Sequence, residues 1–338
     1  MKRRSVLLLT LLCAALGLAA PPALAAAAKA KPRKQTATPA PTSPASHVEI
    51  KVNDLSERFI GFYNEASKPG LDADQRWKLW QTQYGFSAMP NDPAGMAMAR
   101  ALLDAAWPRY PEVMDRIVTG YAGMRPSPER QARAAAELLK LDQPMRLRLV
   151  AYVGFLEGNG FTLGNRGEVR VAIPIEDAPE HRAITAAHEL THAVHISLGA
   201  LEGEGAQTVA AVALSEGLAM HASRALVPGG RIERYVEYLP GWFRDAESMQ
   251  RQIYEAIRPQ LIREDPDTLM RVTHGHGNTG LEREAYYLGW KVVELWLSEG
   301  RSLAQIARIP AARMVEEVDA AVGRLIARLP ARNTAELD

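Results

Sequence analysis

Three closely spaced residues carry a recognisable chemistry. His188, Glu189 and His192 stand in the spacing H-E-x-x-H, within His188-Glu189-Leu190-Thr191-His192. On an α-helix the two histidines lie one turn apart on one face, so both imidazoles can hold a single zinc ion while Glu189 projects beside them. The chemistry expected of that arrangement is metal-assisted hydrolysis, with Glu189 as general base. Two ligands do not complete such a site, because a catalytic zinc takes a third protein ligand and leaves a fourth position for water.

The third ligand has few sources. The sole cysteine is Cys13, near the N-terminus, so the donors must be histidines and carboxylates. The longer metzincin pattern places a histidine six residues after His192, where Leu198 stands, which excludes it. His195 continues the same helical face, but a ligand one further turn along would stretch the coordination sphere and suits a supporting or packing role better. Glu216, within Leu214-Ser215-Glu216-Gly217-Leu218-Ala219, is the best candidate. The Gly199 to Gly205 break lies about nine residues beyond the motif, and Glu216 about eleven beyond the break. At about 1.5 Å per residue, a helix returning from that break brings Glu216 level with the histidines, whereas Glu202 and Glu204 stay near the turn. Its flanks, Val209 to Leu214 and Leu218 to Met220, are almost wholly apolar, which makes an unpaired glutamate costly there. One Zn2+ held by His188, His192 and Glu216 is therefore expected.

The elements that must position these residues follow from periodicity. From Val48 to about Gln143 the spacing is helical, with Leu55, Phe59, Ile60 and Tyr63 recurring on one face, as do Met98, Leu102, Leu103 and Trp107, and with prolines dividing the segment into short helices. Alternation then begins. Leu147, Leu149, Ala151 and Val153 suggest a strand, Phe161 to Leu163 a short extended piece, and Glu168 to Ile175 a further strand, with turns at Glu157 to Gly160 and Gly164 to Gly167. These strands read as a small β-meander, with Pro174 favouring an edge position for the last. The motif helix begins after Pro179, a second apolar helix runs to about Ala225, and the remainder is helical with interruptions. The fold class expected is α+β, predominantly helical: a zincin-like core at 146–225 with the meander packed on the H-E-x-x-H helix, a helical region at 47–145 before it, and another at 226–338 completing the cleft.

Composition bounds the setting. With 338 residues, 47% of them hydrophobic and 23% charged, the chain is long enough for a sizeable core. A net charge of +1 supplies no electrostatic excess for nucleic acid. Residues 1–25 have the form of a secretory signal peptide, with Lys2, Arg3 and Arg4 before an apolar run from Val6 to Ala20 and Ala23-Leu24-Ala25 as a cleavage site. The alternative is an uncleaved anchor, for which that run is at the short end. Residues 26–46, rich in Ala, Lys, Pro, Thr and Ser, read as a disordered linker. An exported protein, periplasmic or extracellular and without membrane insertion after signal cleavage, is expected.

The motifs together carry a family resemblance. His188-Glu189-Leu190-Thr191-His192 followed by Glu216-Gly217-Leu218-Ala219 resembles the gluzincin peptidases and, more narrowly, a bacterial family of predicted zinc-dependent proteases. Members of that family carry H-E-x-x-H, then E-G-x-A, then a Gly-Tyr-x-x-Gly-Tyr-like helix, whose place Ala285-Tyr286-Tyr287-Leu288-Gly289-Trp290 occupies here. The resemblance implies a peptide or protein substrate and Tyr286 as donor to the tetrahedral oxyanion, with His274 and His276 as rivals. It also implies that an extended substrate pairs with the edge of the strand from Val169 to Ile175. Thermolysin-like gluzincins carry an Asp four residues after the glutamate ligand to orient a zinc-bound imidazole. Met220 stands there, leaving that role open to His195, His221 or a backbone carbonyl.

Overall fold

A computed structural model describes Ser43 and residues 47–330. The expected signal segment at 1–25 lies outside the described residues, as does the expected linker at 26–46 apart from Ser43. In chain order the elements are β1 (Val48–Asp54), α1 (Ser56–Ala66), α2 (Ala73–Leu79), α3 (Pro93–Ala106), α4 (Tyr110–Thr119), α5 (Pro128–Leu138), β2 (Met145–Tyr152), β3 (Phe161–Asn165) and β4 (Glu168–Pro174). Then follow α6 (Pro179–Ser197), α7 (Val209–Leu226), α8 (Glu233–Val236), α9 (Trp242–Ser248), α10 (Gln250–Ile257), α11 (Pro266–Thr273), α12 (Glu284–Ser298), α13 (Leu303–Ile306) and α14 (Ala311–Arg328). The fold is α+β and predominantly helical. Among the described residues, no helix is long and apolar enough to cross a membrane.

The strands form one mixed sheet in the order β1-β2-β4-β3. This corrects the expected meander: β2 and β4 are parallel neighbours, and β3 folds back antiparallel along the outer side of β4. It also corrects the start of the region read as helical, because β1 pairs in parallel with β2, Val48 opposite Met145 through Asp54 opposite Ala151. Pro174 is not on an edge strand. The Ile175 amide donates to Tyr152 O at 2.9 Å, so alternation turns the Pro174 nitrogen to the other side of β4. There β3 has already ended, at the pair Phe161 and Ala172, and no ladder donor is missed.

Two long helices carry His188, Glu189, His192 and Glu216. α6 opens with Pro179 at its first position and Glu180 in its first turn, a favourable start because neither an amide donor nor a positive end is left uncompensated. It packs on β3 and β4 and between α5 and α7. From Arg182 to Ser197 its residues are buried except Thr185, His188, His192 and Ile196, a stripe at helical spacing. α7 starts at the Thr208 cap, whose hydroxyl accepts from the Ala211 amide. Within Val209–Ser223, all of them described, every residue is buried except Glu216. The two motif histidines on α6 and Glu216 on α7 are thus partly exposed, while Glu189 is buried.

α7 is held from behind by α12 in a backbone-to-backbone crossing. A Cβ at Gly217 would lie 2.1 Å from Gly289 O, and one at Gly289 would lie 1.9 Å from Ala213 O. Only glycine at both positions permits this approach.

Candidate metal centre

The α6–α7 hairpin brings three donor atoms together. His188 Nε2 lies 3.1 Å from Glu216 Oε2, His192 Nε2 lies 3.5 Å from the same oxygen, and the two Nε2 atoms are 3.0 Å apart. Three lone-pair donors facing one another at such distances repel unless a cation sits among them. Donors about 2.0–2.1 Å from a tetrahedral zinc are separated by roughly 3.3 Å, so the triangle has the size that ion requires. Two imidazoles and one carboxylate are also the right chemistry for it. Among the described residues this is the group of His, Cys, Asp and Glu side chains that could hold a metal ion.

The electrostatics agree with the geometry. Burial alone would push the Glu216 carboxyl up, but the imidazoles of His192 and His188 beside it hold it well below the usual carboxylate range. For His192 burial works against charge, and the Glu216 carboxylate overcomes it, moving the imidazole up.

The other candidates fall away from the cluster. His195 is fully buried, and burial followed by the nearby His192 pushes it down to about 3, so it is a neutral imidazole. Glu202 faces Arg166 at 3.5 Å in the turn, and Glu204 is exposed. His221 stacks on Trp290 with ring centroids 3.8 Å apart, and its Nε2 meets Trp290 O at 3.0 Å, fixing α7 to α12.

Two further side chains complete the surroundings, and neither was singled out by sequence. Ser215 Oγ lies 3.1 Å from His192 Nδ1 and 3.3 Å from His195 Nδ1. With Nε2 turned to the cluster, the His192 Nδ1 proton donates to Ser215, which fixes the tautomer and orients the ring. The role left open by Met220 therefore has a candidate one residue before Glu216, and that adjacency was its signal. Thr162, on β3, places its hydroxyl 2.7 Å from Glu189 Oε2 and 2.9 Å from Glu189 O. Nothing in its short extended segment marked it. Glu189 is itself buried, and Gly160 presses on its stem: a Cβ there would meet Glu189 Cγ at 2.7 Å.

The loop from His274 to Gly280 leads into α12, which packs on α7. Glu284, fully buried, anchors the loop: its carboxylate accepts from the Asn278 amide and Nδ2 and from the Thr279 amide and hydroxyl, at 2.6–3.0 Å. His276 is an exposed loop residue facing Glu282 at 3.7 Å. His274 is different. Burial and then Arg283 push it down to about 4, while Glu216 is close enough to act in the opposite direction. Thr273 Oγ1 gives its proton to Leu269 O at 2.6 Å, so His274 Nδ1, also 2.6 Å from that hydroxyl, is the donor in their contact. His274 Nε2 is then an acceptor. Tyr286 is half-buried in the first turn of α12, with the Arg283 guanidinium 5.0 Å from its ring centroid and 4.4 Å from that of Tyr238.

An H-E-x-x-H helix answered by a carboxylate on the returning helix, beside a small sheet with an antiparallel edge strand, is consistent with a zincin-like centre. Consistent with that class, residues 155–316 match a family described as predicted Zn-dependent protease (DUF2268). The match runs from just after β2 into α14 and includes every residue of the cluster. No curated protein and no solved structure matches the chain.

Proposed function

We propose that the protein is a zinc-dependent peptidase acting outside the cytoplasm, periplasmic or extracellular, with one Zn2+ held by His188, His192 and Glu216. The observation that carries this is the convergence of three donor atoms within 3.5 Å beside a buried glutamate. When bound, zinc supplies a Lewis acid that makes water nucleophilic near neutral pH and polarises a scissile carbonyl. The chain's own residues do the rest. Glu189 takes the proton of the attacking water on its carboxylate and hands it to the leaving amine. Tyr286 donates its phenolic proton in a hydrogen bond to the developing oxyanion. His274 is the poorer donor, being neutral with its one N–H spent on Thr273.

The edge available to an extended peptide is that of β3, not of the segment Val169 to Ile175, since β4 is enclosed between β2 and β3. Alternation along β4 pairs Phe161, Leu163 and Asn165 with it, leaving the backbone groups of Thr162 and Gly164 facing the open side. A substrate strand adding there would lie directly above Glu189.

Glu189→Gln tests the proposal. The variant is expected to keep zinc at the wild-type ratio and to lose on the order of 10²–10⁴ in peptide hydrolysis. Metal analysis of protein purified without chelator or affinity tag, alongside cleavage of an unstructured peptide mixture, reads both. Wild-type protein that holds zinc yet cleaves nothing would make this a peptide- or partner-binding domain instead.

A further inference from the structure

Thr162 faces two ways. Its backbone N–H and C=O lie on the open side of β3, while its side chain turns to α6, where Oγ1 is 2.7 Å from Glu189 Oε2 and 2.9 Å from Glu189 O. We infer that Thr162 is a positioning residue that couples the substrate-docking strand to the general base, holding the Glu189 carboxylate in place and linking its aim to occupancy of the β3 edge. This rests on the peptidase reading and adds a device to it.

A glutamate side chain has three rotatable bonds, and Glu189 needs one particular setting of them, whereas threonine is stiff at χ1 and holds its hydroxyl in one direction. The hydroxyl's single proton serves the carboxylate best, because a hydrogen bond to a charged acceptor is about twice as strong as one to a neutral carbonyl. The strand also confines Glu189 sterically: the backbone at Gly160, two residues earlier, leaves no room for a Cβ, which would lie 2.7 Å from both Glu189 Cγ and Thr185 Cγ2. Peptide hydrogen bonds to Thr162 would steady the residue that steadies the base. β3 does not depend on this hydroxyl for its place, since it is laddered to β4 and Phe161 packs against Phe86 and Tyr152.

Thr162→Val keeps the shape and deletes the hydroxyl, and Thr162→Ser keeps the hydroxyl and deletes the methyl. Both are compared with wild type on internally quenched peptides that the wild type cleaves, with zinc content, melting temperature and a crystal structure of each. The expected result for Thr162→Val is a kcat lower by on the order of 10- to 100-fold, with KM, zinc and melting temperature held and the Glu189 carboxylate displaced from β3. Thr162→Ser is expected to recover kcat to within about threefold of wild type, as a hydroxyl tether predicts. Full kcat in Thr162→Val, an unmoved Glu189, loss of zinc in step with activity, or a serine variant as slow as valine would each overturn the inference. A wild type inactive on every peptide, or as active as Glu189→Gln, would instead remove the peptidase reading and this inference with it.

Discussion

Glu216, half-buried at the cluster, and Glu176, fully buried, are both glutamates shielded from water, and they differ in charge state. Glu216 stands among two imidazoles, which overcome the cost of burial and keep it ionised. Glu176 has no exposed surface at all; its Oε1 accepts from the Gly154 amide at 2.9 Å, and its Oε2 is buried without a hydrogen-bond partner. Burial and then the nearby Asp177 push it up to about 8, and Glu157, also raised by burial, to about 7. The neighbouring cations are spent on carbonyls: Arg116 donates to Glu176 O at 2.6 Å and Arg182 to Ile175 O at 2.7 Å. Burial opposes ionisation in both places. What differs is whether a positive group is aimed at the carboxylate itself, and only the Glu216 site is built to receive a cation; the Glu176 site keeps a proton.

The sharpest way to break that contrast is to delete the charged member. Glu216→Ala is expected to weaken zinc binding by on the order of a thousandfold, since one of three protein ligands is lost, while most helicity remains. Zinc titration with a competing chelator and circular dichroism would check it. Unchanged affinity would return the third-ligand role to another residue.

The second test addresses the neutral member. The folded pKa of Glu176, about 8, lies above the ordinary value of 4.5, so its favourable contribution is complete below about pH 4.5 and is lost as pH rises through about 8. Glu157, at about 7, adds to the same window. Stability is expected to fall by on the order of 3 kcal/mol between pH 5 and pH 8.5. Glu176→Gln, which keeps an acceptor for Gly154 and cannot ionise, should flatten that fall in thermal denaturation. A variant with the same pH dependence as wild type would show that the titration belongs elsewhere.

The smallest effect is expected at Ser215. Ser215→Ala leaves all three donors in place but frees the His192 ring, and should weaken zinc binding by about 10- to 100-fold. Affinity within twofold of wild type would show that packing alone orients the imidazole.

How much of this was readable beforehand depended on distance along the chain. The α6–α7 hairpin was legible because spacing, the Gly-rich break and the apolar flanks of Glu216 are all local. The strand positions of β2 to β4 were legible from alternation, but their order was not, because parallel pairing of β1 with β2 joins segments far apart in sequence. β1 itself carried a signal: Val48, Ile50 and Val52 alternate with Glu49, Lys51 and Asn53. The helical spacing that starts at Leu55 masked it. Thr162 and Gly160 had no local mark, since what defines them is a contact with α6, reached only through the fold. For Tyr286 the resemblance supplied a role that spacing did not.

The crossing of α7 and α12 bears on dimensional tolerance. A metal ligand must be placed to within about 0.2 Å. Glu216 is bonded to Gly217, whose position is set by contact with the Gly289 carbonyl, and no adjustable side chain lies between the two backbones. The placement of Glu216 is thus inherited from a fixed stop at the contact of α7 with α12. Even a single added methyl at that stop would move the ligand by more than its tolerance without touching any group that does chemistry.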